Sequence, residues 1–170
     1  MNSVFFIRLI RMLALVACQV LVLNQVHLLG YITPLLLGYM MVCFHRGTSR
    51  VVTLLWGFTI GLIFDIFNNT AGMASAACTF VAMIQQPLLN MFAPRDAAED
   101  FVPTFNSLGF WSYLSYTLIL MFVLHAVFYL LDAFTLSDWQ MTLYAIVGGT
   151  LLSCLITFFV ELLVRTRKVQ

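Results

Sequence analysis

Asp65 is the only acidic residue that we place inside an apolar segment away from its cytoplasmic end, and it is the first candidate for chemistry. Gly57, Gly61, Asp65 and Asn69 follow one another at steps of four, so on a helix they form one ridge. In a membrane interior an unpaired carboxylate costs on the order of 2–4 kcal/mol. We therefore expect Asp65 to face other helices or water, and the glycines to let a neighbouring backbone approach closely.

Two roles are open for Asp65. Its carboxylate could accept hydrogen bonds from backbone N–H groups at the start of the next helix, between Gly72 and Ser75, where the helix dipole favours negative charge. It could instead contact a partner on the periplasmic side, although the short turn favours the first role. Aspartyl chemistry needs two carboxylates in one site, and Glu161 is predicted at the opposite membrane face, about 20 Å away at ~1.5 Å per residue. We therefore assign no catalytic residue.

The cysteines and histidines form no recognisable metal or redox motif. The cysteines lie in apolar segments without a C-x-x-C pair, which favours buried small side chains over ligands or disulfides. Signatures of phosphate loops, dinucleotide sites and zinc proteases are absent from the sequence. A lipidation motif ending at Cys18 is a weaker alternative to an uncleaved helix. The residues concerned are Cys18, Cys43, Cys78 and Cys154, and His27, His45 and His125. We expect no metal and no cofactor.

The composition is that of a membrane protein. Hydrophobic residues make up 62% of the 170 residues and charged residues 9%, against roughly 45–50% and 25% in soluble domains. The mean hydropathy is +1.00. The sequence therefore predicts one all-α integral membrane domain over residues 1–170, surrounded by the lipid bilayer. Eight Lys and Arg in small groups give no basis for nucleic-acid binding.

Six apolar segments are predicted to cross the membrane as helices. The second is the least secure, because it barely reaches the ~20 residues of a full crossing. We expect the third to be central and its glycine ridge to contact the fourth or the sixth. The polar stretch 93–109 is expected to be a solvated connector; alternatively, Phe101 and Phe105 lie on the membrane surface or in a partner's groove. The segments cover residues 12–29, 34–45, 51–69, 73–92, 110–131 and 139–164.

The charges predict the orientation of these segments. With six crossings, all eight Lys and Arg fall on one side, and the loops 28–33, 68–72 and 132–138 contain none. This is the positive-inside pattern, so both termini are predicted in the cytoplasm. Near the inner end, Glu161 is expected to reach the interface or to pair with the basic tail. The basic residues are Arg8, Arg11, Arg46, Arg50, Arg95, Arg165, Arg167 and Lys168.

Two stretches, Asn24 to Pro34 and Gly57 to Met73, resemble the rod shape-determining protein MreD in the form found in Bacteroides-like bacteria. The Gly61-to-Asp65 core and Gly72 match the family's most recognisable signature. The resemblance implies a non-enzymatic scaffold of the cell-elongation machinery in the bacterial inner membrane. It implies a single-span MreC-like partner and indirect links to MreB and the peptidoglycan synthases.

The resemblance also implies a fold similar to the substrate-binding subunits of energy-coupling-factor transporters. A small-molecule-binding subunit of a vitamin importer is therefore the alternative function. Its polar outer ends would supply Gln25, His27, Asp65, Asn68 and Asn69. For the scaffold, the candidates for helix packing or partner contact are Gly57, Gly61, Asp65, Asn68, Asn69 and Gly72.

Overall fold

The computed structural model describes residues 2–21, 34–133 and 139–166, and within these ranges the chain forms helices and no strands. Three of the helices, α3, α6 and α7, are long and apolar enough to cross a membrane. The helices are α1 (Asn2–Leu21), α2 (Leu37–Val42), α3 (Arg50–Asn68), α4 (Met73–Phe92), α5 (Phe105–Leu108), α6 (Phe110–Asp132) and α7 (Trp139–Thr166).

The helical hairpin α3–α4 begins and ends close to the residues predicted from sequence. The Ser49 hydroxyl accepts the Val52 amide at the start of α3, as an N-cap side chain does. Asn69 ends the helix in the left-handed conformation, with φ 54°. Gly72, with φ 83°, precedes α4, and this conformation favours residues without a side chain.

The first two segments differ from their predicted bounds. Helix α1 begins at Asn2, not near residue 12, so Arg8 and Arg11 lie within it. The predicted portion 22–29 falls outside the described residues. Helix α2 has only six residues instead of the predicted span 34–45, which is about 9 Å of helix. The chain at Pro34 and Leu35 is not helical, because side chains of other helices bind its backbone there.

All six residues of α2 and nine of the twenty in α4 are buried, against six of the nineteen in α3, so the prediction that α3 is central was wrong. Helix α4 packs against α3, α6 and α2. Its small buried residues, including Ala74, Ala77 and Cys78, allow close approach on several sides. Helix α3 makes its main contact with α4 and exposes Leu55 and Ile66 on its outer side.

The connector between α4 and α6 is solvated only in part. Its acidic residues Asp96 and Asp100 are exposed, as expected. However, Phe105 packs inside the chain's own bundle, with its ring centroid 4.4 Å from that of Tyr113 and 4.8 Å from that of Phe158. Phe101 is also partly buried against the core. The aromatic residues therefore anchor the connector, because burying them removes apolar surface from water.

Candidate functional site

Asp65 caps the start of α4 from the neighbouring helix. The side chain is buried, at 4% exposure. Oδ1 accepts the amide of Ala74 at 3.0 Å, and Oδ2 accepts the amide of Ser75 at 2.9 Å. The Thr70 hydroxyl donates to Oδ1 as well. The predicted structural role is confirmed: the carboxylate binds N–H groups that have no partner within their own helix.

Gly57 and Gly61 form the surface on which α4 packs. A Cβ on Gly61 would lie 2.5 Å from both the Ala74 carbonyl oxygen and the Ser75 nitrogen, and closer still to the Ser75 Cα. A Cβ on Gly57 would lie 2.9 Å from the carbonyl oxygen of Cys78. Both distances are too short for any side chain. The prediction that this ridge contacts the fourth or sixth segment is confirmed for the fourth.

The remaining predicted residues build the turn between α3 and α4. The Asn68 side-chain amide donates to the Phe64 carbonyl at 2.9 Å. Asn69 is exposed in the left-handed conformation, and Gly72 begins α4. The turn therefore holds Asp65 opposite the free amides of α4. A role of these residues in contacting a partner stays a prediction.

A second polar cluster, which the sequence analysis did not identify, lies where the chain enters α2. Gln19 of α1 donates to the Pro34 carbonyl at 2.8 Å and accepts the Leu36 amide at 2.7 Å. The Leu35 amide donates to Ser153 Oγ of α7 at 2.9 Å. Buried backbone polar groups outside a helix need hydrogen-bond partners from elsewhere in the protein. Gln19 and Ser153 supply those groups.

His125 completes this cluster. Its Nδ1 lies 2.8 Å from the Met121 carbonyl, and its Nε2 lies 3.2 Å from Ser153 Oγ. A carbonyl only accepts, so Nδ1 carries the proton and the Ser153 hydroxyl donates to Nε2. Gly149 allows this approach, since a Cβ there would lie 2.9 Å from Nε2. Ser153 and His125 have the spacing of a nucleophile and its base, but both are 0% exposed and the hydroxyl already binds the Leu35 amide. The pair is structural.

A third group of polar side chains joins α2, α4, α6 and α7. The Tyr39 hydroxyl lies 3.1 Å from Glu161 Oε2 and donates to it. The Gln85 amide donates to the Phe44 carbonyl and to Tyr116. Glu161 was predicted to reach the interface or to pair with the basic tail. In the structure its hydrogen-bond donor is the Tyr39 hydroxyl. The side chains of Arg165, Arg167 and Lys168 lie outside the described residues.

Metal ligands do not come together in the described ranges, where no group of three or more His, Cys, Asp or Glu could hold an ion. The four cysteines, all within those ranges, form no disulfide. Cys78 and Cys154 are buried, as the sequence predicted, whereas Cys18 is exposed on α1. Of the three histidines, His27 lies outside the described residues.

No protein-family model, curated protein or solved structure matches this chain.

Proposed function

We propose that this chain is a non-enzymatic component of the bacterial cell-elongation machinery, similar to MreD. In this role it scaffolds an MreC-like single-span protein in the inner membrane. Through that partner it acts with MreB and the peptidoglycan synthases to maintain cell shape. Three apolar helices support a membrane location; the specific role rests on the sequence resemblance.

The observation that carries the proposal is the construction of the α3–α4 hairpin. The stretch Gly57 to Met73, which carries most of the resemblance, forms one unit in which glycines fit α4 and Asp65 caps it. A rigid hairpin of this kind suits a scaffold, because it presents a fixed outer surface. The adjoining face of α3 exposes large apolar side chains, including Ile66 at 72%.

We further propose six crossings with both termini in the cytoplasm. The three apolar helices would be joined by α1, α4 and the second segment. Helix α4 carries polar residues that face other helices, Gln85 among them at 0% exposure, so its lower hydropathy is compatible with a crossing. The second segment would cross partly as non-helical chain, with its amides bound by Gln19 and Ser153.

No observation on the described residues specifically supports the alternative function as a vitamin-importer subunit. Two of its proposed ligand residues, Gln25 and His27, lie outside the described residues. The carboxylate of Asp65 already accepts three hydrogen bonds within the hairpin. The scaffold is therefore the function that we develop.

Co-purification tests the scaffold. The tagged chain is co-expressed with an MreC-like protein from the same genome, extracted in mild detergent and captured, with an unrelated single-span protein as the control partner. We expect selective capture of the MreC-like protein. The substitution Ile66→Trp on the exposed face of α3 is expected to weaken capture, whereas Leu155→Trp on the exposed face of α7 serves as the matched control. Equal recovery of both partner proteins would count against the proposal.

A further inference from the structure

Glu161 is a carboxylate within the inner half of the apolar helix α7. The described residues give it one hydrogen bond, from the Tyr39 hydroxyl at 3.1 Å. An intramembrane carboxylate is costly and normally marks a site with a compensating partner. One phenolic donor offsets only part of the cost of a negative charge.

Three buried hydroxyls lie near this carboxylate without a hydrogen-bond partner among the described residues. They belong to Tyr113, Thr117 and Thr157, which are 2%, 3% and 0% exposed. The hydroxyls of Tyr113 and Thr117 lie close to each other on α6, close enough to interact but short of full hydrogen-bond geometry. A buried hydroxyl without a partner destabilises the folded chain. Such groups are normally satisfied by an ordered water or a bound ligand.

These groups lie at the same level of the bundle. On α6, Phe110 precedes His125, but their partners on α7 come in the reverse order, because Phe110 contacts Phe158 and His125 contacts Ser153. Helices α6 and α7 therefore run antiparallel. Tyr113 and Thr117 on α6 consequently lie opposite the turn of α7 that contains Thr157, and Glu161 follows about one helical turn later. The Tyr113 hydroxyl is close enough to Glu161 to interact with it electrostatically.

We propose that Glu161 and the hydroxyls of Tyr113, Thr117 and Thr157 bind a monovalent metal cation such as Na⁺. All the donor atoms are oxygens, which hard cations prefer. A single carboxylate is neutralised by a single positive charge, so a divalent ion would leave excess charge in the membrane. Cys43 lies beside Tyr39, but a thiol is a poor ligand for hard cations.

Sodium binding is measured directly on the purified wild-type chain in detergent. Saturable binding of radioactive ²²Na⁺ that excess unlabelled NaCl displaces is expected. At fixed pH and ionic strength, NaCl is also expected to raise the melting temperature above that in choline chloride. The expected rise is about 4 °C when Na⁺ exceeds its Kd tenfold.

Three substitutions locate the site: Glu161→Gln, Tyr113→Phe and Thr157→Val. Each is expected to abolish or strongly weaken the difference between sodium and choline. Thr150→Val is the matched control, because the Thr150 hydroxyl is equally buried on α7 but already donates to the Ile146 carbonyl. It should retain the sodium response.

Two results would overturn the proposal. One is a wild-type chain that binds no ²²Na⁺ and melts at the same temperature in sodium and choline; water, or a proton on Glu161, would then occupy the site. The other is a sodium response that survives Glu161→Gln and Tyr113→Phe in folded protein. Neither result depends on the proposed role in cell elongation.

Discussion

In the α3–α4 hairpin and at the entry into α2, side chains bind backbone amides that lack a helical partner. The two regions differ in how far apart along the chain the side chain and the amide lie. Asp65 binds the amides of residues nine and ten positions later. Gln19 binds an amide seventeen positions away, and Ser153 binds one 118 positions away. The hairpin can therefore form by itself, whereas the entry into α2 needs three separate helices.

The largest expected effect follows from Gly61→Leu in the hairpin. The new side chain would overlap the backbone of α4 at Ala74 and Ser75, so the two helices would have to separate. We expect a loss of more than about 3 kcal/mol and a low amount of protein in the membrane. Abundance and melting temperature in detergent measure it. Ala76→Leu, at an exposed position of α4, is the control; wild-type behaviour of Gly61→Leu would contradict the close packing.

Asp65→Leu is expected to have the second-largest effect, because the amides of Ala74 and Ser75 and the hydroxyl of Thr70 all lose their acceptor. The loss should be about 3 kcal/mol. Asp65→Asn should lose about 2 kcal/mol, because both oxygens accept hydrogen bonds and the new NH₂ group would face a backbone donor. Normal membrane abundance of Asp65→Leu together with loss of rod shape would instead show a role in partner contact.

Gln19→Leu tests the second region. It leaves the Pro34 carbonyl and the Leu36 amide without their partner, and we expect a loss of about 2 kcal/mol. Gln140→Leu, at an exposed position of α7, should change the melting temperature little. Equal effects of the two substitutions would mean that the backbone at residues 34–36 does not depend on Gln19.

Ser153→Ala has the smallest expected effect. It removes the acceptor of the Leu35 amide and the donor to His125 Nε2, so a loss of about 1 kcal/mol is expected. Thr59→Val is the control, since this exposed hydroxyl bonds only to its own helix at Leu55. If Ser153→Ala lowered stability more than Asp65→Leu, the entry into α2 would contribute more to stability than the cap in the hairpin, contrary to our expectation.

The same contrast explains what the sequence could predict. The Gly57–Gly61–Asp65 ridge lies on one helix and its partners lie on the next, so helical spacing was enough to identify the cap. The bounds of α3 and α4 followed from the polar turn between them. The central position of α4 was missed, because a run of small residues such as Ala74 and Ala77 indicates close packing but not the number of neighbours.

Helical spacing could not predict hydrogen bonds between residues that lie far apart along the chain. Ser153 and Glu161 are eight residues apart and so lie on one face of α7, but this spacing does not predict which residues meet that face. Nothing in the sequence pairs Ser153 with Leu35, or Tyr39 with Glu161 across 122 positions. Likewise, the short length of α2 depends on bonds made by Gln19 and Ser153, so local pattern alone predicted a longer helix.

The position of Ser153 has a consequence for the order of events during synthesis. When Leu35 leaves the ribosome, the hydroxyl that binds its amide is still 118 residues from being translated. At 5–20 residues per second, that interval lasts about 6–24 s. The Ser75 amide that Asp65 binds follows only ten residues later, after about 0.5–2 s. The hairpin can thus form with its charge already bound, whereas the Leu35 amide lacks its acceptor until α7 has been synthesised.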